Sequence, residues 1–173
     1  MNKNLLIVGA GVYGLVAKEI AESLGCFERI AFVDDKAKIA PDGTETVGRV
    51  SDIKNLVSEY GNVIVAIGNP EVRLGIIERI AELPCKTVSL VSPLAYVSYS
   101  AQLGKGCIIE PMAVVHTKCV LGIGCIVSAG AVINHDSTCC DGVHVDCNAT
   151  VEGYSLVPTG KKIHSGEVYK NIH

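Results

Sequence analysis

Residues 107–145 read CIIEPMAVVHTKCVLGIGCIVSAGAVINHDSTCCDGVHV, and every sixth position from Ile109 to Val145 carries an aliphatic side chain or a cysteine. The spacing extends outward unbroken. From Val91 to Val168 the chain makes thirteen hexads without insertion or deletion, through Val91, Val97, Leu103, Ile109, Val115, Leu121, Val127, Ile133, Cys139, Val145, Val151, Val157 and Ile163. A helix repeats at 3.6 residues and a strand at two, so neither explains a fixed period of six. A stacked β-helix does.

A second column lies four residues after each aliphatic: Ala95, Ala101, Cys107, Ala113, Cys119, Cys125, Ala131, Ser137, Val143, Ala149 and Ser155, before Lys161 and Glu167 end the pattern. Small residues suit a tight interior. Because strand side chains alternate, the residue between the two inward positions points out. That outward column reads Ile108, Val114, Val120, Ile126, Val132, which predicts an apolar surface of the kind that marks association. An oligomer is expected.

The 173 residues suit a half-size nucleotide-binding domain joined to a solenoid, with a boundary at residues 90 and 91. Charge is near balance, 15 Lys plus Arg against 18 Asp plus Glu, and no basic stripe alternates with aromatics; nucleic acid is not an expected partner. No apolar run reaches membrane-spanning length, and MNKNLLIVGAG reads as neither a signal peptide nor a membrane span. Of the eight cysteines, Cys107, Cys119, Cys125 and Cys139 fall on inward hexad positions, where a thiol behaves as a small buried hydrophobe. Cys139, Cys140 and Cys147 lack a paired C-x-x-C arrangement, so neither a metal site nor a disulfide framework is expected. Reduced thiols without a secretory signal predict a cytoplasmic protein.

Residues 1–90 alternate strand and helix. Leu5–Val8 is a buried strand, Gly9–Gly14 a glycine turn, Leu15–Leu24 a helix ended by Gly25, and Ile30–Val33 a strand closing on Asp34 and Asp35. A helix near residues 51–60, a strand over 63–67, a helix over 70–83 and a strand near 87–90 complete a parallel βαβ series. Gly9, Gly11 and Gly14 take the G-x-G-x-x-G spacing between strand and helix, where glycines admit an anion to the helix N-terminus. The same turn also serves strand–helix packing alone. Asp34 stands where the dinucleotide fingerprint puts its ribose-binding acid. About 90 residues hold one nucleotide-binding half rather than two, which favours a mononucleotide.

Histidine is the side chain suited to taking a proton near neutral pH, and the hexads sort the five present. His164 and His173 lie near the end of the chain, and His116 takes an outward or turn position. His135 falls in the turn Ile133-Asn134-His135-Asp136. His144 interrupts the outward column one and two coils after Ile126 and Ile108. Turn histidines also cap backbone carbonyls, so both readings stand on spacing alone.

The hexads resemble those of the hexapeptide-repeat acyltransferases, whose left-handed β-helix takes three hexads per coil and assembles as a trimer. With I-V-G-A-G-x-x-G at Ile7–Gly14, the acidic pair Asp34-Asp35 and V-A-I-G-N-x-x-x-R at Val65–Arg73, the chain is similar to the PglD/NeuD-type sugar acetyltransferases. The resemblance implies a small Rossmann-like parallel α/β domain followed by a left-handed parallel β-helix. It implies a homotrimer that moves acetyl from acetyl-CoA to the amine of a nucleotide-linked sugar, with UDP as the expected nucleotide and no metal. Gly9, Gly11, Gly14, Asp34, Asp35, Gly68 and Asn69 would face the nucleotide sugar. Arg73 would steady that loop, reach a phosphate, or lie solvated on its helix. His135, Asp136 and His144 match the family's pattern of a base histidine, a following acid and a second histidine nine places on. By that match His135 is the general base of a direct attack with no acyl-enzyme, Asp136 orients its ring, and His144 contacts the acetyl-CoA thioester. Lys162, eighteen residues after His144, either meets a CoA phosphate or forms part of a polar end. Family members usually continue for further coils, so coenzyme A would be gripped by less protein here. A sugar O-acetyltransferase of the sialic-acid type and a non-catalytic nucleotide-sugar-binding trimer are the other readings.

Overall fold

The computed structural model of the chain describes residues 3–171 and divides into two compact units, Met1–Leu90 and Val91–His173. His173 lies outside the described residues.

The first unit is built on a five-stranded parallel sheet: β1 (Leu5–Val8), β2 (Ile30–Val33), β3 (Thr46–Gly48), β4 (Asn62–Val65) and β5 (Lys86–Thr87), in the order β3-β2-β1-β4-β5. Central β1 reads LLIV with every side chain buried, as a strand covered on both faces must. Leu6 and Val8 share a core with Ile76, Ile77 and Ile80 of α3 (Pro70–Ala81). Leu5 and Ile7 point the opposite way. Helix α1 (Val12–Leu24) buries Gly14, Ala17, Ile20 and Ala21 and ends on Gly25 in the left-handed conformation, the αL cap expected of a glycine there.

Two expectations for this unit are corrected. The segment near residues 51–60 is not one helix but a 3-10 turn, Val50–Asp52, followed by α2 (Ile53–Leu56); the chain then turns to bury Tyr60 and enter β4 at Asn62. Edge strand β3 is missing from the sequence reading because three half-exposed residues, Thr46, Val47 and Gly48, show no apolar alternation.

The second unit is a three-sided left-handed parallel β-helix. Fourteen two-residue strands run from β6 (Leu90–Val91) to β19 (Val168–Tyr169), and each pairs with strands eighteen residues away, as in Tyr96↔Val114↔Val132↔Thr150↔Val168. Its core contains the inward aliphatic and small columns together. The period runs one strand beyond Ile163: Tyr169 takes the next aliphatic register opposite Val151, packs on the core and donates its hydroxyl hydrogen to Leu156 O at 3.2 Å.

The expectation of one exposed apolar column is also corrected. Three hexads per coil send successive strands to three faces, so Ile108 and Ile126 share one face, Val114 and Val132 a second, and Val120 a third. Ile108 and Ile126 are fully buried, whereas Val120 is exposed.

The small column contributes more than small size. Cys107 Sγ donates to Gly122 O (3.2 Å), Cys119 Sγ to Asn134 O (3.0 Å), Cys125 Sγ to Cys140 O (3.2 Å) and Ser137 Oγ to Glu152 O (2.8 Å). Each closes a gap of fifteen residues, tying one coil to the corner of the next.

The corners turn through the left-handed region. One is all glycine, at Gly106, Gly124, Gly142 and Gly160. A second alternates Met112, Gly130, Asn148 and Gly166, and the third carries Lys118, Asp136 and Tyr154 at φ of 58°, 57° and 62°.

Candidate active site

The corner after Val132–Ile133 places the first pair of candidate residues. Asp136 sits at φ 57°, and with that backbone its carboxylate turns back on its neighbour: His135 Nδ1 and Asp136 Oδ2 are 3.0 Å apart. The His135 side chain is 43% exposed, which leaves the ring open to solvent. Its remaining surroundings are His116, with ring centroids 6.2 Å apart, Tyr154 at 5.2 Å, and the backbone of Gly153.

His144 belongs to a different part of the prism. It stands in strand His144–Val145, in register with Ile126 before it and Lys162 after it. The three strands of a coil follow one another around the prism, so the corner holding His135 lies opposite the face holding His144. The imidazole is buried, its Nε2 3.1 Å from Ser128 Oγ and 3.9 Å from Asp146 Oδ1. Asp146 pairs with Lys162 Nζ at 2.9 Å. Desolvation pushes the Asp146 carboxyl up, but the Lys162 ammonium and the Cys147 N–H outweigh it and hold the group down at about 2. Glu110, also buried, accepts from Ala129 N at 3.1 Å. Ser128, Asp146 and Tyr154 are absent from the sequence reading, although their register gives a signal: Ser128 is eighteen residues before Asp146, and Tyr154 eighteen after Asp136.

In the first unit, three of the expected segments follow the C-terminal ends of adjacent parallel strands: Gly9–Gly14 after β1, Asp34-Asp35 after β2, and Gly68-Asn69 after β4. The strand order reverses between β1 and β4, the switch point at which open α/β sheets hold ligands. The glycines divide by function. A Cβ on Gly9 would lie 2.8 Å from Ala66 O, and one on Gly14 2.1 Å from Gly9 O, so both are required by packing. Gly11 has nothing within 4 Å and an ordinary φ of −85°, and no side chain caps the helix it begins.

Asp34 works on the turn itself. Its Oδ2 accepts from Ala10 N at 2.9 Å, and its Oδ1 from Lys36 N (2.8 Å) and Ala37 N (2.9 Å). Desolvation raises this carboxyl, yet the three N–H groups hold it below the usual carboxylate range. Asp35 accepts from Val50 N at 3.0 Å. Asn69 caps α3 through Val72 N at 3.0 Å. Arg73 is not solvated: it is fully buried and donates through Nη1 to Ile67 O (2.6 Å) and Gly68 O (2.9 Å), fixing the loop from below.

Among the described residues no cluster of His, Cys, Asp and Glu has the arrangement to hold a metal, and no helix is long and apolar enough to cross a membrane. Residues 4–80 match the PglD N-terminal domain family. Over 96% of its length the chain superposes on the acetyltransferase domain of PglB from Neisseria gonorrhoeae FA1090, covering 82% of that domain at 32% identity with a TM-score of 0.92. The chain belongs to the PglD-type sugar acetyltransferase family. A structure of the gonococcal domain with acetyl coenzyme A matches at 29% identity and a TM-score of 0.79, and 82% of it is covered. A UDP-N-acetylbacillosamine N-acetyltransferase of Bacillus subtilis (strain 168) is 32% identical over 111 residues, 62% of this chain and 51% of that protein. This PglD-type chain thus spans about half the length of that relative. PerB from Caulobacter crescentus, in complex with CoA and GDP-perosamine, is 18% identical with a TM-score of 0.66, covering 96% and 91% of the two chains, and shares the fold.

Proposed function

We propose that this chain transfers acetyl from acetyl-CoA to the amine of a nucleotide-linked amino sugar, UDP being the expected nucleotide, with His135 as general base. The observation that carries the reading is the His135–Asp136 pair, half exposed on a solenoid corner in a member of an acetyltransferase family.

The chemistry follows from the pair. With Nδ1–H donated to Asp136, the lone pair of His135 lies on Nε2, and Asp136 stabilises the imidazolium when it forms. Nε2 takes the proton of the sugar amine as its nitrogen attacks the thioester carbonyl. A C–N bond forms, backbone N–H groups steady the oxyanion, the C–S bond breaks, and the proton passes from His135 to the coenzyme A thiolate. A thiol nucleophile is not needed. Burial pushes the Cys119 and Cys139 thiols up, and contact with Cys107 followed by burial raises Cys125, so none is a ready thiolate.

The nucleotide would lie at the switch point between β1 and β4, where the uncapped start of α1 and the open Cα of Gly11 admit a phosphate. Gly9 and Gly14 shape that turn, Asp34 and Asp35 brace it, and Arg73 supports Gly68 and Asn69 beside it. His144, with Lys162 held through Asp146, would form the polar end of the acetyl-CoA site. Because His135 and His144 occupy an opposite corner and face, one acetyl-CoA touching both would lie between two copies. A homotrimer would supply that second copy.

His135→Ala, assayed by thiol release from acetyl-CoA with UDP-amino sugars, CMP-sialic acid and simple sugars, is expected to lower turnover by about a hundredfold or more while nucleotide-sugar binding persists. Unchanged turnover would sink the assignment. Activity on hydroxyl acceptors alone would move the reading to O-acetylation, and binding without turnover by the native chain would leave a binding protein.

A further inference from the structure

We propose that Tyr154 is a positioning residue for the His135 imidazole, seated on Gly153; the inference rests on reading His135 as the base. Tyr154 occupies a left-handed corner at φ 62°, a conformation unfavourable for a bulky side chain and one that glycine fills at every turn of the neighbouring all-glycine corner. Met112 and Lys118 turn their corners with the same backbone, so what singles out Tyr154 is the ring it sets against His135.

The contacts give that residue its task. The Tyr154 ring meets the His135 ring edge to face, 5.2 Å between centroids at an interplanar angle of 86°, the favoured geometry of an aromatic pair. Its N–H donates to His135 O at 3.1 Å, fixing the ring's backbone to the histidine it contacts. Beside it Gly153 forms the seat: a Cβ there would stand 3.1 Å from His135 Cε1 and 3.3 Å from Nε2. Asp136 holds the ring through Nδ1, but one hydrogen bond leaves it free to pivot about that contact. Tyr154, with Gly153 beside it, adds the contact that limits rotation of the ring about the Asp136 hydrogen bond. Since 59% of Tyr154 remains exposed, its other surface is open to the acceptor that His135 deprotonates.

The strain separates this role from a structural one. Tyr154→Gly relieves the backbone and removes the ring, so the variant is expected to keep or raise its thermal midpoint while kcat falls about tenfold or more. The KM for acetyl-CoA should change little, and Tyr154→Phe should retain native kcat because the ring, not the hydroxyl, makes the contact. In the substrate-free protein, the NOE between His135 Cε1–H and the Gly153 Cα protons should weaken in Tyr154→Gly and persist in Tyr154→Phe. Native kcat in Tyr154→Gly, or an unchanged NOE, overturns the proposal. His135→Ala measured alongside keeps the two claims apart: if it retains turnover the base reading fails, while the NOE still decides whether Tyr154 places the ring.

Discussion

At the scale of single residues, side chains of this protein serve other side chains as much as any ligand. Asp146 is the clearest case, because it lies between Lys162 and His144 and its carboxyl sits at about 2. A group depressed in the folded state stabilises the fold above its unfolded value, near pH 4, and that contribution disappears as pH falls toward 2. Asp146→Asn should therefore destabilise the protein at neutral pH, by ~1 kcal/mol or less since Lys162 is partly exposed. The gap between native and variant should close between about pH 4 and pH 2 in urea titrations; a constant gap would refute the assignment. His135 and Asp136 are legible in the sequence because they are adjacent. Asp146 and Tyr154 are not, because Lys162 stands sixteen residues from Asp146 and His135 nineteen from Tyr154, and only the coil register brings them together.

At the scale of elements, the glycine turn after β1 separates packing from binding. Gly14→Ala puts a Cβ 2.1 Å from Gly9 O, so the start of α1 must shift, with an expected loss of about 2 kcal/mol or more in chemical denaturation. Gly11→Ala meets no protein atom and should melt with the native protein, yet weaken nucleotide-sugar binding measured by calorimetry. Native affinity in that variant would remove the phosphate from the turn. The G-x-G-x-x-G spacing announces the turn but cannot show which glycine the protein needs for itself. That distinction depends on the approach of β4 and of Gly9 to the helix, contacts made across the sheet. The acids after β2 follow the same rule: their position is readable, whereas the Ala10, Lys36 and Ala37 N–H groups that engage Asp34 are not.

At the scale of the whole molecule, the hexad period reads the solenoid from sequence almost completely, because each residue type reports its depth in a coil of fixed length. What it misreads is direction: residues six apart look like neighbours in a column, but neighbours are eighteen apart, which separates Ile108 from Val114 and His135 from His144. If two copies complete one site, His135→Ala and His144→Ala chains, each nearly inactive, should regain about a quarter of native turnover when refolded together in equal amounts. No recovery would place both histidines in one copy's site. The thiols that tie coil to coil have a practical outcome as well. A solenoid frays from its ends by nearest-neighbour steps, and a buried thiol meets a reagent only when its own coil opens. Exposed Cys26 should react first, and the order in which Cys107, Cys119, Cys125 and Cys139 follow should reveal from which end the coils unzip. The chain carries its own calibrated ruler for unfolding, graduated in sulfur.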